Sequence, residues 1–362
     1  MPFPSRRASA LRARRPLIAA LALAGTALAA TALTGTAQAA TPQYKLTLSP
    51  TVNSQYFAVN NNGDIIGSEP QKGSSFPSAF LLKAGSSTPL ILNPPASQAG
   101  EGFATAQGLN NADQVVGDSD TGLFTALEWP TGSSTPTDLS QLPTLANSFF
   151  NTRATSINDN GLIVGFGQTP GSNGDLTKSF TIQNNTVNVL PELPNGVDAD
   201  AQAVNSTGTT IVGNADTTTQ APLAVEWING TITKLPSLAS TLTSGALAVN
   251  TSGEAVGAAV LTTDNNAHAV LWANGKATDL HFPGSSDAEA TGINTSGVIV
   301  GDNSSHAFID QNGTVTDLNT LIPANSGVTL VTAHSINDQG VIVGTAVNAQ
   351  GLEVGYELTP VS

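Results

Sequence analysis

The sequence predicts an all-β fold: a seven-bladed β-propeller of four-stranded antiparallel blades, closed by an N-terminal strand. Three observations support this prediction. A turn motif recurs seven times, and its copies are spaced 43 to 50 residues apart, which suits one four-stranded blade each. The seventh copy ends after its third strand, whereas an additional strand, YKLTL at residues 44–48, precedes the first copy. We expect this strand to complete the last blade, because ring closure protects strand edges. An open β-solenoid is the alternative, but it does not explain why one missing strand is matched by one extra strand.

Each copy begins its turn with an asparagine, which we call the anchor Asn. Asn is favoured at the first position of a type I turn and Gly at the fourth, and Asn also bonds its own backbone two residues on. In the second copy Asp113 replaces the turn Gly, and Asp tolerates a positive φ better than most residues. In the fourth copy the interval between Gly208 and Gly213 is one residue longer, and we expect a local bulge to absorb it. The seven anchor residues are Asn60, Asn110, Asn158, Asn205, Asn250, Asn294 and Asn337.

The strand before each turn is predicted to be the innermost strand of its blade. Four residues ahead of the anchor Asn stands a small side chain that suits the crowded axis of a ring, and Tyr56 replaces it in the first copy. The small residues are Ala106, Ala154, Ala201, Ala246, Ala290 and Ala333.

The strand after each turn carries two adjacent apolar residues, such as Ile163 and Val164, followed by a closing Gly. Adjacent side chains point to opposite faces of a strand, so neighbouring blades are predicted to cover both faces. The closing Gly indicates a bulge or a close backbone approach. Third and fourth strands follow, and Asn-Gly pairs starting at Asn229, Asn274 and Asn312 predict hairpin turns between them. No window sustains an apolar period near 3.6, so we predict no helix in this region.

Residues 1–39 are predicted to be an export signal peptide, and residues 40–362 a single seven-repeat propeller domain. The N-terminal segment contains five Arg and no acidic residue, then an apolar run, then Ala-Gln-Ala ending at Ala39. The apolar core of about 14 residues is shorter than the roughly 20 that a spanning helix needs. Cleavage is therefore favoured over an uncleaved anchor, and we expect a secreted, extracellular protein with no membrane span after cleavage. The paired Arg6 and Arg7 fit a twin-arginine signal only loosely, so both export routes stay open.

Charge narrows the classes of partner, and cysteine content shows how the protein must be stabilised. Five of the 12 basic residues lie in the predicted signal peptide and none of the 26 acidic residues does, so the remaining chain carries a net charge of −19. Nucleic acids and anionic lipids are bound mainly through Lys and Arg, so neither is expected as a partner. The sequence contains no Cys, so an exported protein of this length must be stable without disulfides.

Two third strands, HAVLW at residues 268–272 and HAFID at residues 306–310, occur together with the recurrent INxxGxIVG motif. In this combination the chain resembles the bacterial extracellular repeat family named for its His-Ala-Phe motif, the HAF repeat, over nearly all of residues 56–358. The resemblance implies a secreted propeller whose function is mostly unassigned. It implies no catalytic role for the motif's His, which only two of seven copies keep. Four other copies have Ser78, Thr125, Ser179 or Leu223 at that place.

The residues predict no catalytic centre and no resident cofactor. The four histidines are predicted to be structural or surface residues, because none has the spacing of a zinc site. No GxSxG elbow occurs. The Asn- and Asp-rich turns lack the alternating ligands and terminal Glu of an EF-hand, although a bound calcium ion stays an open alternative.

Loop length indicates where a ligand would bind. The connections from second to third strands, and from fourth strands to the next blade, are long and uneven. In an up-and-down blade both sets emerge on the same face of the ring, which we call the variable face. Acidic residues accumulate there, so we predict that this face carries any site for calcium or for a cationic or hydroxyl-rich partner. The predicted ligand-binding residues are Asp118, Asp120, Asp175, Asp198, Asp200, Asp216, Asp264, Asp287, Glu289 and Asp302, and Glu69 and Glu101 lie on the same face.

These observations predict a secreted, non-catalytic binding or scaffold propeller at the cell exterior, with an extracellular polysaccharide or protein as partner. The alternative is a propeller enzyme that acts on glycans as a hydrolase or lyase, with carboxylates of the variable face as acid and base. A buried acidic pair with raised pKa values would favour the enzyme, whereas an open acidic face would favour binding. A purely structural surface protein is the third possibility.

Overall fold

The computed structural model describes residues 43–71, 76–98, 103–172, 174–217, 220–282 and 287–361. The predicted signal peptide and Glu101 lie outside these residues. Within them the chain forms seven four-stranded antiparallel sheets, which are the seven predicted blades. The prediction of a seven-bladed propeller is therefore confirmed.

Blades 1 to 7 follow the order of the anchor asparagines. Their innermost strands are β2 (Gln55–Val59), β6 (Phe103–Leu109), β10 (Asn151–Ile157), β14 (Gly196–Val204), β18 (Thr241–Val249), β22 (Glu289–Ile293) and β26 (Val328–Ile336). Their second strands are β3 (Ile65–Pro70), β7 (Val115–Asp120), β11 (Ile163–Thr169), β15 (Thr210–Thr217), β19 (Ala255–Leu261), β23 (Ile299–Asp302) and β27 (Ile342–Asn348).

The outer half of each blade completes the sheet. The third strands are β4 (Pro77–Leu82), β8 (Phe124–Trp129), β12 (Leu176–Gln183), β16 (Gln220–Ile228), β20 (Ala267–Ala273), β24 (Ala307–Gln311) and β28 (Glu353–Pro360). The fourth strands are β5 (Leu90–Leu92), β9 (Thr137–Asp138), β13 (Thr186–Val189), β17 (Thr231–Lys234), β21 (Lys276–Asp279), β25 (Thr314–Asp317) and, in blade 7, β1 (Tyr44–Leu48).

Blade 7 is built from both ends of the described chain. Strand β1 pairs with β28 in an antiparallel register that sets Tyr44 opposite Pro360 and Leu48 opposite Tyr356. This pairing supplies the fourth strand that the seventh repeat lacks. The expected closure of the ring by the N-terminal strand is therefore present.

Hydrophobic packing lies between the blades. The apolar pair on each second strand is buried, and its two residues enter different clusters: Ile163 packs in the core shared with blade 2, and Val164 in the core shared with blade 4. The same division recurs around the ring, with one such core at each of the seven junctions between neighbouring blades. Each blade is therefore held by two neighbours, as the paired apolar residues predict.

The closing Gly of each second strand lies against the innermost strand. A Cβ on Gly213 would stand 1.9 Å from the backbone oxygen of Asp200. A Cβ on any of the other six closing glycines would stand 1.9–2.1 Å from the equivalent oxygen. The innermost strand shifts register directly after this point, as between Ala201 and Ala203. The predicted bulge with close backbone approach is confirmed, and it explains why no side chain is tolerated there.

The anchor Asn side chains link successive blades on the face opposite the variable face. The side-chain oxygen of Asn60 accepts the N–H groups of Asn62 and Asp64, which fixes its own turn. Its side-chain amide donates to the main-chain carbonyl of Asn110 in the next blade at 3.0 Å. Six of the seven anchors make this inter-blade bond, at 2.9–3.2 Å. We call this arrangement the Asn ring.

Blade 4 departs from the Asn ring, and the expectation for its extra residue was wrong. The additional residue lies in the turn rather than in a strand bulge, because the turn closes with a bond from the Asn205 N–H to the carbonyl of Thr210. The side-chain amide of Asn205 then donates to Thr209 Oγ1 at 3.1 Å. In the second repeat Asp113 keeps the turn with a φ of 61°.

The prediction of no helix is also corrected. A six-residue α-helix, α1 (Pro143–Ser148), lies in the connection from blade 2 to blade 3, with Pro at its start. It buries Leu145 in the core between these blades. A helix this short carries one or two core contacts, so it leaves no repeating apolar period in the sequence.

Candidate functional site

One layer of side chains below the variable face differs from blade to blade. It consists of the residue that precedes the buried Ala of each innermost strand, or the buried Tyr56 in blade 1, and we call these seven positions the mouth positions. They are Gln55, Thr105, Arg153, Asp200, Gly245, Glu289 and Thr332. Across the sheet they pair with Ser68, Asp118, Phe166, Asn214, Ala258, Asp302 and Thr345, respectively. Four of the predicted acidic residues therefore fall in this one layer.

Blade 4 brings together three of the predicted carboxylates. The backbone N–H of Asp198 donates to Asp216 Oδ1 at 3.1 Å, and Asp198 Oδ1 accepts the N–H of Thr177 from blade 3. Asp200 is almost fully buried. We call Asp198, Asp200 and Asp216 the blade 4 cluster.

Burial and mutual repulsion alter the ionisation of this cluster. Burial, followed by the charges of Asp198 and Asp216, raises the pKa of Asp200 to about 7, although a hydrogen bond from Asn214 and the nearby Arg153 oppose the shift. Burial, with the charge of Asp198, raises the pKa of Asp216 to about 6. The cluster therefore holds a proton at a pH where ordinary carboxylates are ionised.

Blade 6 places a second carboxylate pair in the mouth layer. Glu289 and Asp302 are opposite one another on strands β22 and β23. Burial raises the pKa of Asp302 to about 6, while a backbone hydrogen bond from Ser304 opposes this shift. The charge of Asp302 adds to burial in raising the pKa of Tyr356 in blade 7.

Blade 2 contributes Asp118 and Asp120 on strand β7. Asp118 is buried and its Oδ1 accepts a hydrogen bond from Thr105 Oγ1 at 3.1 Å. Asp120 lies at the rim, half-buried, and its Oδ1 accepts the N–H of Gly122.

The remaining predicted residues lie apart from these groups. Asp175 is exposed just before β12. Asp287 occupies the position in blade 6 that Asp198 occupies in blade 4, and each accepts an N–H from one of the first two residues of the third strand in the preceding blade. Asp198 and Asp287 therefore join neighbouring blades, a role that composition alone does not indicate.

Asp264 belongs to a histidine site at the edge of blade 5. His268 Nε2 lies 3.1 Å from Asp264 Oδ2, and His268 Nδ1 lies 2.8 Å from Asp279 Oδ2. In blade 6, His306 Nδ1 contacts Asp317 Oδ2 in the same way at 2.7 Å. The motif His thus ties its third strand to the Asp that ends the fourth strand, which agrees with the predicted structural role.

Arg153 is a mouth residue that the sequence analysis did not single out. Its guanidinium lies 3.4 Å from the centre of the Phe124 ring of blade 2, and its charge acts on Asp200 of blade 4. The available signal was its rarity, since no other Arg follows Arg15 in the sequence.

Among the described residues, no group of three or more His, Asp or Glu side chains has an arrangement that could hold a metal ion. The calcium alternative remains a prediction. In the same part of the chain, no helix has both the length and the apolar character needed to cross a bilayer.

Solved structures similar to this chain are propeller proteins with diverse activities. An oligogalacturonate lyase from Vibrio parahaemolyticus matches 88% of this chain and 92% of its own at 9% identity and a TM-score of 0.55. A prolyl endopeptidase matches 88% of this chain at 8% identity and a TM-score of 0.52. A puromycin-hydrolysing peptidase from Mycobacterium tuberculosis matches 88% at 11% identity and a TM-score of 0.51. This chain spans about half the length of each peptidase, 51% and 56%.

At these identities the likeness shows the fold and no specific activity. No protein-family model and no curated protein matches the chain.

Proposed function

We propose that the protein is a secreted, non-catalytic binding propeller whose variable face holds an extracellular partner at the mouth positions. The observation that carries this proposal is a contrast between the two ends of each innermost strand. At one end all seven blades present the anchor Asn, whereas the seven mouth positions comprise six different residue types. Function lives in sites grafted on a repeated scaffold, so the end at which the repeats differ is where we place the ligand site.

The charges of the mouth layer favour one class of partner. The layer contains Asp118, Asp200, Glu289 and Asp302 with Arg153 as its basic residue. Carboxyl groups accept hydrogen bonds from hydroxyl groups and repel anions, so a hydroxyl-rich chain or a cationic protein surface suits this layer. An extracellular polysaccharide or protein is therefore the proposed partner.

The proposal is tested by thermal unfolding of residues 40–362 in the presence of a panel of ligands. A ligand that binds only the folded state raises the melting temperature. We expect a shift with at least one extracellular polysaccharide or protein fraction, and loss of this shift in the double variant Asp200→Asn, Glu289→Gln. The exposed Asp175→Asn variant is the control. A shift that survives the double variant would place the binding site elsewhere.

The blade 4 cluster supports a second candidate, an enzyme that cleaves glycans. The pKa of Asp200 is raised to about 7 and that of Asp216 to about 6, so Asp200 keeps its proton to a higher pH than Asp216, the combination that a general acid and its partner require. The bonds that Asp198 and Asp216 make to the backbone favour the binding role instead, because Asp198 Oδ1 already joins blade 4 to blade 3 and Asp216 Oδ1 already accepts a backbone N–H within blade 4.

Product analysis separates the two candidates. Incubation of the protein with neutral and uronic-acid polysaccharides, followed by a reducing-end assay and absorbance of unsaturated products, measures hydrolysis and elimination. New chain ends that disappear in Asp200→Asn would establish the enzyme. Binding without new ends supports the non-catalytic propeller.

A further inference from the structure

Aromatic side chains are concentrated at the variable face of blades 1 to 3. Six of the chain's 12 Phe residues lie there, in a protein in which aromatic residues make up 5% of the sequence. They are Phe76, Phe103, Phe124, Phe149, Phe150 and Phe166. Phe149 is buried against Phe180 and belongs to the core, so the other five are available to define a surface.

Three of these rings, Phe76, Phe103 and Phe124, form a row with Asp120 and Arg153 that crosses the junctions of blades 1 to 3. Phe76, at the start of the third strand of blade 1, stacks on Phe103 of blade 2 with ring centres 5.5 Å apart and planes inclined by 24°. Phe103 is opposite Asp120, and Asp120 is opposite Phe124, in the register of strands β6, β7 and β8. Phe124 in turn lies under the guanidinium of Arg153 in blade 3.

One ring of the row and two apolar side chains on the same face are open to solvent. Phe76 is 47% exposed, and Phe150 and Leu123, which lie outside the row, are 40% and 52% exposed. Exposed apolar side chains gathered on one face indicate an interaction site more often than scattered ones do. The half-buried Asp120 lies between Phe103 and Phe124 in the sheet, so the row includes one hydrogen-bond acceptor.

We propose that this row, which we call the aromatic row, stacks the sugar rings of an uncharged polysaccharide. The electron-rich face of a Phe ring attracts the C–H groups of a pyranose, and a neighbouring carboxylate accepts its hydroxyl hydrogens. The inference rests on the proposed binding function and names the chemical class of its ligand.

Charge excludes the anionic polysaccharides. Asp118 and Asp120 lie in the same blade as Phe103 and Phe124, and the protein beyond its predicted signal peptide is strongly acidic, so a uronic-acid polymer would be repelled. A row of separate rings with an acceptor between two of them also matches the repeat of a sugar chain better than a protein hot spot, which is typically one desolvated Trp, Tyr or Arg anchor.

The test uses affinity electrophoresis and calorimetry of residues 40–362 with soluble neutral glucans and galactans, and with polygalacturonate for comparison. The variants are Phe76→Ala and Asp120→Asn, and the control is Ile228→Ala, which removes a side chain of similar exposure (41%) at the opposite face. We expect a neutral glycan to bind, a tenfold or larger rise in Kd for Phe76→Ala, a smaller rise for Asp120→Asn, and no change for the control. Circular dichroism of each variant verifies folding.

Three results would overturn the inference. They are unchanged affinity in Phe76→Ala, binding of polygalacturonate as tight as that of the neutral glycans, or no binding of any neutral glycan. In each case the proposed binding function is judged separately, by whether the double variant Asp200→Asn, Glu289→Gln abolishes a ligand-induced rise in melting temperature.

Discussion

The side-chain amide of Asn337 donates a hydrogen bond of 2.9 Å to the main-chain carbonyl of Asn60, and so joins the last repeat to the first. The same side chain accepts the N–H groups of Gln339 and Val341 through its oxygen. One buried amide thus fixes its own turn and holds the neighbouring blade. The anchor Asn does more than the turn preference of Asn predicts.

The Asn ring leads to the first prediction, which compares the same substitution at two anchors. Asn337→Asp keeps the acceptor but replaces the donor with an oxygen that faces the carbonyl of Asn60, so we expect a loss of about 2 kcal/mol in the free energy of unfolding. Asn205→Asp should cost much less, because the hydroxyl of Thr209 can turn to donate to the new carboxylate. Urea denaturation measures both, and equal losses would refute a role for the inter-blade bond.

The second prediction concerns the closing glycines. Gly213→Ala would place a Cβ 1.9 Å from the backbone oxygen of Asp200, and we expect it to destabilise the fold by about 3 kcal/mol or prevent folding. Gly245→Ala is the matched control, since its Cβ would meet nothing closer than 3.7 Å. Thermal unfolding of the two variants should therefore differ widely. A tolerated Gly213→Ala would contradict the proposed reason for this Gly.

The third prediction is a pH dependence of stability. The pKa of Asp200 is raised from 3.8 to about 7, so between these values the folded state binds more protons than the unfolded state. The contribution of Asp200 to stability is then greatest in acid and falls as the pH rises from about 4 to about 7, by about 1.4 kcal/mol for each unit of pKa shift at most. Asp216 and Asp302, with pKa values raised to about 6, act in the same direction.

Asp200→Asn tests this dependence. The variant should flatten the curve of melting temperature against pH and exceed the unsubstituted protein in stability at pH 8, whereas Asp175→Asn should reproduce the original curve. Parallel curves for Asp200→Asn and the unsubstituted protein would show that Asp200 is not the titrating group.

The fourth prediction concerns His268. Burial alone would lower its pKa, but hydrogen bonds to Asp264 and Asp279 outweigh burial and hold it above 6.5. This pairing stabilises the folded state below pH 6.5, and its contribution is lost as the pH rises through the folded pKa. An NMR titration should show the raised value, and Asp279→Asn should lower it. A value at or below 6.5 in the unsubstituted protein would contradict the assignment.

The sequence predicts the repeating parts of the fold well because the same packing constraints recur in every repeat. Paired apolar residues such as Ile163 and Val164 must be buried on two sides, and the closing Gly must leave room for a backbone oxygen. Parts that occur once are harder to predict. Helix α1 is too short to leave a period, and the extra residue of blade 4 could be absorbed in either a turn or a strand.

The sequence predicts which acidic residues share one end of the blades, but not the contacts that they make. Uneven loops and acidic residues indicate the variable face, and three of the predicted carboxylates meet in the blade 4 cluster. Asp198 and Asp287, however, accept backbone N–H groups from the preceding blade, and a sequence does not show which strand end faces a carboxylate. Arg153 was missed for the same reason, since its partners Phe124 and Asp200 come from two other blades.

Because blade 7 combines the first and last strands of the described chain, it also determines when the ring can close during synthesis. Strand β1 is synthesised first, yet its partner β28 ends at Pro360, more than 300 residues later. At about 5–20 residues per second strand β1 is made on the order of 15–60 s before its partner, so the ring can close only after β28 has been synthesised. Until then the blades at both ends expose an unpaired edge and an uncovered face. Unpaired strand edges are templates for pairing with other chains, so ring closure removes an aggregation hazard of the growing chain.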